Sequence, residues 1–241
     1  MLGTLLELLY PTDCPACGRP AGSGKALCED CRAALPIRTL ENCCVLCGKT
    51  LLADERAAGT AAAECAQCHK KRPAFDLARS AVLYKGPVRA LVHEIKYHHG
   101  LYVADELADL LEGCFRAHYG NETVDFIVPI PLHRNKKARR GYNQSALLAR
   151  RLGRRLGIPV AEPFLRRRLD TETQTHMSAE ERRTNMKGAF EVPARHADSV
   201  YGKRILLLDD VMTTGATFEE ASRALRAAGA GRILCLSLAR D

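Results

Sequence analysis

Two carboxylates and a cluster of hydroxyls stand side by side in the run RILLLDDVMTTGAT, residues 204–217. Asp209 and Asp210 are adjacent, and neighbouring carboxylates can accept hydrogen bonds from a vicinal diol such as ribose O2′ and O3′. Thr213, Thr214 and Thr217 surround Gly215 immediately before a helical pattern. Glycine lets the backbone approach an anion closely. The first N–H groups of a helix are unpaired and lie at its positive dipole end, which favours phosphate. An acidic strand end with a threonine cap explains one Asp and one Thr, but not two Asp, three Thr and a Gly within nine residues. The pattern describes a site for a sugar phosphate. Neither G-x-x-x-x-G-K-[ST] nor G-x-G-x-x-G occurs, so the other common phosphate loops are excluded.

A second chemistry is written in cysteine. Of 11 cysteines, eight form four Cys-x-x-Cys pairs before residue 70. These are Cys14 and Cys17, Cys28 and Cys31, Cys44 and Cys47, and Cys65 and Cys68. A two-residue gap puts both sulfurs on one metal at ~2.3 Å, and two such turns complete a tetrahedron. With no export signal, zinc is preferred to disulfides. Four thiolates leave no open position, so the zinc is structural. Sequential pairing gives one site from residues 14, 17, 28 and 31 and another from 44, 47, 65 and 68; the sequence does not exclude a cross-braced arrangement. Cys43 is spare, and His69 is a substitute ligand.

These groups need elements to hold them. Residues 1–72 carry the cysteine pairs and an Ala-rich insert, and form a small module. Residues 73–241 alternate apolar strand-like runs with helical patterns, the signature of an α/β domain with a mainly parallel sheet flanked by helices. Strands are expected at 78–84, 125–130, 205–208 and 233–238, with a short one at 158–160. Helices are expected at 87–97, 103–118, 144–156, 179–186 and 216–228. The strand at 205–208 reads as central, buried on both faces. In open α/β sheets ligands sit at the carboxyl ends of strands, which is where Asp209 and Asp210 fall.

The match of LLLDDVMTTGAT to the 5-phosphoribosyl 1-pyrophosphate (PRPP) motif of type I phosphoribosyltransferases runs nearly end to end. The order of four cysteine pairs, then IKYHHG (95–100), VPIPLHRNKKARRGYNQ (128–144), TQTHMSAEERRTNMKGAF (173–190) and that motif resembles the ComF family of competence and gluconate-utilisation-type proteins. The resemblance spans nearly the whole chain. It implies a type I phosphoribosyltransferase fold behind the cysteine-rich zinc module. It implies that Asp209 and Asp210 form the catalytic pair on the ribose hydroxyls, and that Val211, Met212, Thr213, Thr214, Gly215, Ala216 and Thr217 hold the 5-phosphate. The turn of Pro131, Leu132, His133 and Arg134 would be the pyrophosphate loop, with Arg140 nearby. Residues 173–185 would close over the site. Mg²⁺ would come with PRPP, because it binds through substrate phosphates rather than protein cages. The reaction implied is transfer of phosphoribosyl to a nitrogen acceptor with release of pyrophosphate. The family's part in DNA uptake implies a second reading, an accessory protein that binds single-stranded DNA on the same fold.

The charge balance suits either. Net charge is +8, and residues 132–168 hold twelve Lys and Arg against one Glu. Arg134, Lys136, Lys137, Arg139 and Arg140 flank the expected pyrophosphate turn, where a multiply charged leaving group needs cations. Arg150, Arg151, Arg154 and Arg155 read better as a solvated helix face. Asn143 is either a helix cap or a substrate contact. Arg182, Arg183 and Asn185 are either lid groups or an exposed face. Lys96 falls on a helix before the core without an assigned role. No run approaches the ~18 apolar residues needed to span a bilayer. The opening MLGTLLELLYP lacks a basic start and a cleavage site, so a cytoplasmic protein is expected.

Overall fold

In the computed structural model, the described residues are 13–39, 41–51, 63–97, 100–169 and 179–241. The expected helix at the start of the chain, the bulk of the Ala-rich insert, and Thr171–Ser178 lie outside them. A four-stranded parallel sheet forms the centre, in the order β1, β6, β5, β2. Its strands are β1 Leu77–Leu83, β2 Phe126–Pro129, β5 Arg204–Met212 and β6 Arg232–Arg240. A two-stranded antiparallel hairpin, β3 Arg166–Arg167 with β4 Phe190–Glu191, stands apart.

The alternation of side chains along β5 and β6 builds two cores. Leu206, Leu208, Leu234 and Leu236 point to one face, where they meet α3 Pro87–Tyr97, α4 Ala104–Tyr119 and α6 Gln144–Leu156. Ile205, Leu207, Ile233 and Cys235 point to the other, where α9 Ala216–Ala227 packs with Phe218, Ala221 and Leu225. Helix α4 is anchored through the sheet by Tyr119, whose hydroxyl donates to the Cys235 carbonyl at 2.8 Å. Three layers result, helix on sheet on helix, as the βα alternation requires. The remaining helices are short: α1 Glu29–Ala33, α2 Ala66–Lys70, α5 Arg134–Arg140, α7 Ala179–Met186 and α8 Ala197–Val200.

The cysteine region wraps the β1 edge of the sheet. Ile37 pairs with Val82 as an antiparallel bridge, the Arg38 amide donates to Ala81 and the Leu83 amide donates to Pro36. An exposed edge strand is thereby covered. Cys14 and Leu27 join the core on one face, while Cys44, Cys47, Cys65 and Cys68 join the core on the other.

Three expectations need correction. The strand expected at 205–208 runs nine residues, Arg204–Met212, because β6 keeps pairing beyond the charges: Asp209 opposes Ser237 and Met212 opposes Arg240. The aspartates are therefore inside the strand, not past its end. The strand expected at 158–160 shrinks to one bridge, Val160 with Ile127, since Pro159 has no N–H to donate and contributes only its carbonyl. Arg134 does not end a turn but opens α5, a helix with no buried residue and hence no apolar period to reveal it.

Candidate functional site

Strands β2 and β5 are neighbours in register, Pro129 opposite Leu208, so their carboxyl ends and the loops that follow lie together. Beyond Pro129, residues 130–133 lead into α5; beyond Met212, residues 213–215 lead into α9. The expected pyrophosphate turn and the threonine-rich turn are thus brought to one edge of the sheet.

Asp209 and Asp210 are both buried. Asp209 Oδ1 accepts from the Ser145 hydroxyl at 3.0 Å and from the Asp210 amide at 2.9 Å. Asp210 Oδ1 accepts from Gln144 Nε2 at 3.3 Å, and its Oδ2 is met by the Lys96 ammonium in a close ion pair. Burial, then the neighbouring Asp210 carboxylate, push Asp209 well above the ordinary carboxylate range. Burial opposes the charge on Asp210 too, but the Lys96 ammonium and hydrogen bonds from Lys96, Asp209 and Gln144 hold it down to about 2. Lys96 itself is raised: burial pulls it down, and Asp210 more than offsets this. The surroundings thus drive the two carboxyls apart: burial and its neighbour favour the protonated form of Asp209, while Lys96 favours the ionised form of Asp210.

None of these three partners has a role in the sequence reading. Gln144 and Ser145 open α6, where Asn143 is the cap: its Oδ1 accepts from the Ser145 amide and its Nδ2 donates to the Ile130 carbonyl, each at 3.0 Å. The cap thus positions Ser145 for Asp209. The only sequence signal for Lys96 was its place in IKYHHG, since its partner lies 114 residues further on.

The threonine-rich turn is open. Among the described residues, no group of the chain accepts from the amides of Thr213, Thr214, Gly215 or Thr217; the Ala216 amide has a long contact, 3.4 Å, to the Thr214 hydroxyl. Gly215 caps α9 with φ +81°, a left-handed conformation that side chains disfavour, and the Met212 methyl lies directly against it. Thr213 is exposed, Val211, Thr214 and Thr217 are half-buried, and Met212 and Ala216 are buried.

The basic residues separate into two places. His133, Arg134 and Lys137 line a groove of about 600 Å³ with Pro131, Leu132 and Arg166, Arg167 and Arg168 of the hairpin region. Arg140, at the other end of α5, stacks over the Tyr97 ring at 5.3 Å and donates to Gln144 Oε1. It therefore faces the Asp210 side, not the groove. Arg150 pairs with Glu162, and Arg151 and Arg155 pair with Asp105, in keeping with a surface helix face.

The cysteines gather as two sequential clusters, 14, 17, 28 and 31, and 44, 47, 65 and 68, with all sulfurs of a cluster within 4.8 Å of one another. Cys17 and Cys28 sulfurs are 3.6 Å apart, and those of Cys47 and Cys65 3.8 Å. A tetrahedron with ~2.3 Å metal–sulfur bonds needs about 3.8 Å; a disulfide needs about 2.05 Å. The residues fit zinc, and the cross-braced pairing is set aside. Cys43 lies outside both clusters, accepting from Arg38 at 3.2 Å, and so does His69.

Comparison with known proteins agrees with this layout. Residues 5–69 match the double zinc ribbon domain, and residues 95–241 match the phosphoribosyl transferase domain. Competence protein F of Haemophilus influenzae is 35% identical over 182 residues, which cover 74% of this chain and 79% of the relative. The chain belongs to the ComF family. Another relative, the DNA utilization protein YhgH of Salmonella typhi, is 33% identical over 97% of this chain and 99% of its own length. Among solved structures, glutamine PRPP amidotransferase from B. subtilis, complexed with ADP and GMP, aligns with a TM-score of 0.38 and 20% identity, covering 57% of this chain and 27% of that one. The match of residues 95–241 to the phosphoribosyl transferase domain, with the parallel sheet between helices, gives the type I phosphoribosyltransferase fold, here behind a double zinc ribbon. No helix among the described residues is long and apolar enough to cross a membrane.

Proposed function

We propose that this chain binds PRPP at the carboxyl end of β5 and transfers its phosphoribosyl group to a nitrogen acceptor, releasing pyrophosphate. One observation carries the reading: two carboxylates stand immediately before a turn whose amides at 213, 214, 215 and 217 are not engaged by the chain's own acceptors. The 5-phosphate accepts from those amides and from the hydroxyls of Thr213, Thr214 and Thr217. The ribose hydroxyls donate hydrogen bonds to Asp209 and Asp210. Because Lys96 and Gln144 already hold Asp210, binding exchanges these protein contacts for ribose contacts.

In the reaction a nitrogen lone pair forms the bond to ribose C1 while the C1–O bond to pyrophosphate breaks. Positive charge develops on the sugar, and the single ionised carboxylate of Asp210 stabilises it. Pro131, Leu132, His133 and Arg134 receive the leaving pyrophosphate. Mg²⁺, arriving with PRPP, supplies charge neutralisation for its phosphates. Titration calorimetry with PRPP and Mg²⁺ tests the reading. Replacing both aspartates by Asn while also changing Lys96→Met removes the negative charge and its buried partner together. Unchanged affinity in that folded triple variant refutes the site.

A second reading has its own support. The groove of His133, Arg134, Lys137 and Arg166, Arg167 and Arg168 is cationic, and the relatives carry the names competence protein F and DNA utilization protein. Single-stranded DNA lying there would lose affinity with salt, by about 0.7 in log–log slope per phosphate neutralised. Arg166→Ala with Arg168→Ala should lower that slope while leaving the calorimetric response to PRPP in place.

A further inference from the structure

The two cysteine clusters sit in different surroundings. In the first, Cys17 is exposed and Cys28 and Cys31 are half-buried; in the second, all four cysteines are buried, packed with Phe75, Met212 and Phe218. Four thiolates around one divalent zinc sum to two negative charges, and a buried net charge requires a counter-charge. Arg38 and Arg79 hold the loop of this cluster from its outer side, through the carbonyls of Gly48 and Val45. Arg240 holds it from within. Its side chain is buried, only 6% of the residue is exposed, and its Nη1 donates to the Cys47 carbonyl at 2.7 Å.

Arg240 differs from the other two arginines in where its backbone lies. It is the last residue of β6 and opposes Met212, the last residue of β5. The same Nη1 approaches the Met212 sulfur at 3.1 Å, and the Asp241 amide donates to the Met212 carbonyl at 3.1 Å. Met212 in turn lies against Gly215: a Cβ added there would meet its methyl at 2.9 Å. A continuous line of contacts thus runs from a cysteine of the second cluster through Arg240 and Met212 to the glycine at the head of α9.

We propose that Arg240 is a positioning residue that couples the second cysteine cluster to the phosphate turn, so that zinc in that cluster and PRPP at the turn strengthen each other's binding. The inference rests on the PRPP reading of the turn. With zinc bound, the thiolates hold the guanidinium in place and Met212 supports Gly215 from below. Without it the buried guanidinium loses its counter-charge, leaves for solvent, and removes that support. Among the described residues, the first cluster has no such line of contacts to the turn: its loop docks on α4, where the amides of Ala26 and Leu27 donate to Glu106. Coupling of binding free energies is reciprocal, so the effect can be read at either ligand.

The test uses the full chain with both clusters loaded. A zinc-selective chromophoric chelator is titrated to equilibrium with and without saturating PRPP and Mg²⁺, and PRPP binding is followed by calorimetry on the same sample. The expected result is that PRPP raises the affinity of one of the two zinc ions by about tenfold, within the usual range of coupling between sites, and leaves the other unchanged. In Arg240→Met the selective shift disappears and the PRPP dissociation constant rises by a similar factor. If PRPP protects both ions equally, it acts as a general stabiliser and the coupling is refuted. If PRPP binds and neither ion responds, the inference fails alone. If wild-type protein gives no PRPP heat, the functional reading fails and the inference falls with it. The wild-type titration decides even where Arg240→Met does not fold.

Discussion

At the scale of single residues, the acidic pair is divided by its surroundings into two unlike carboxyls. Burial and the neighbouring carboxylate push Asp209 towards its protonated form, and its Oδ1 accepts from Ser145 and from the Asp210 amide. Asparagine can make the same bonds, so Asp209→Asn should fold normally. Its effect on stability should depend on pH. A folded pKa raised above the unfolded value of about 3.9 means that, above pH 4, the unfolded chain releases a proton the folded chain retains, and stability falls as pH rises through that window. The variant has no such proton, so its advantage over wild type should grow between pH 4.5 and 7 in urea denaturation; a constant difference would rule out the raised value. Asp210 has the opposite sign. With its folded pKa at about 2, its stabilising effect is complete above pH 4 and is lost as pH falls from about 4 towards 2. Asp210→Asn leaves the Lys96 ammonium without its carboxylate and should cost about 3 kcal/mol. Adding Lys96→Met should recover most of that loss, and a purely additive double variant would show that the ion pair is not the cause.

At the scale of elements, the turn between β5 and α9 depends on the left-handed backbone at Gly215. Gly215→Ala adds a Cβ in a conformation that costs about 1–2 kcal/mol, pressed against the flexible end of Met212. Thermal unfolding should fall by that modest amount, whereas PRPP affinity should fall more than tenfold if the amides of this turn carry the phosphate. An affinity loss no larger than the stability loss would argue for a structural turn only. The helices at 87–97 and 144–156 were legible to the residue, because amphipathic periodicity and terminal signals such as Asn143 and Gly157 are local. The four cysteine pairs and the threonine-rich turn were legible for the same reason. Strand lengths were not: β5 and β6 run on past their apolar centres because each supplies the other's hydrogen bonds, a relation that no single segment carries. Helix α5 was hidden by its lack of any buried face. Lys96, Ser145 and Arg240 acquire their roles only from tertiary contact, with partners in distant segments of the chain.

At the scale of the whole molecule, the cysteine region is built into the fold on both sides of the β1 edge, and its two halves are held differently. The half near Leu27 depends on one carboxylate. Glu106, buried on α4, accepts from the amides of Ala26 at 3.0 Å and Leu27 at 3.2 Å, and pairs with Arg32 at 2.9 Å. Glu106→Ala leaves two amides of this half without their acceptor and Arg32 without its partner, which should cost about 2 kcal/mol or more. The loss is local in origin, since Cys44, Cys47, Cys65 and Cys68 join the opposite face through the core of Phe75, Met212 and Phe218. Limited proteolysis should therefore cut the variant within residues 13–35 while the fragment from residue 36 onward survives, tied to β1 by the pairing of Ile37 with Val82. Glu106→Gln should cut more slowly, because its amide oxygen still accepts from Ala26 and Leu27 and only the Arg32 pair is lost. Cleavage spread evenly over the chain would mean that the two halves unfold as one unit with the sheet. Selective cleavage would mean that the first zinc ribbon half opens without disturbing the edge that carries the threonine-rich turn.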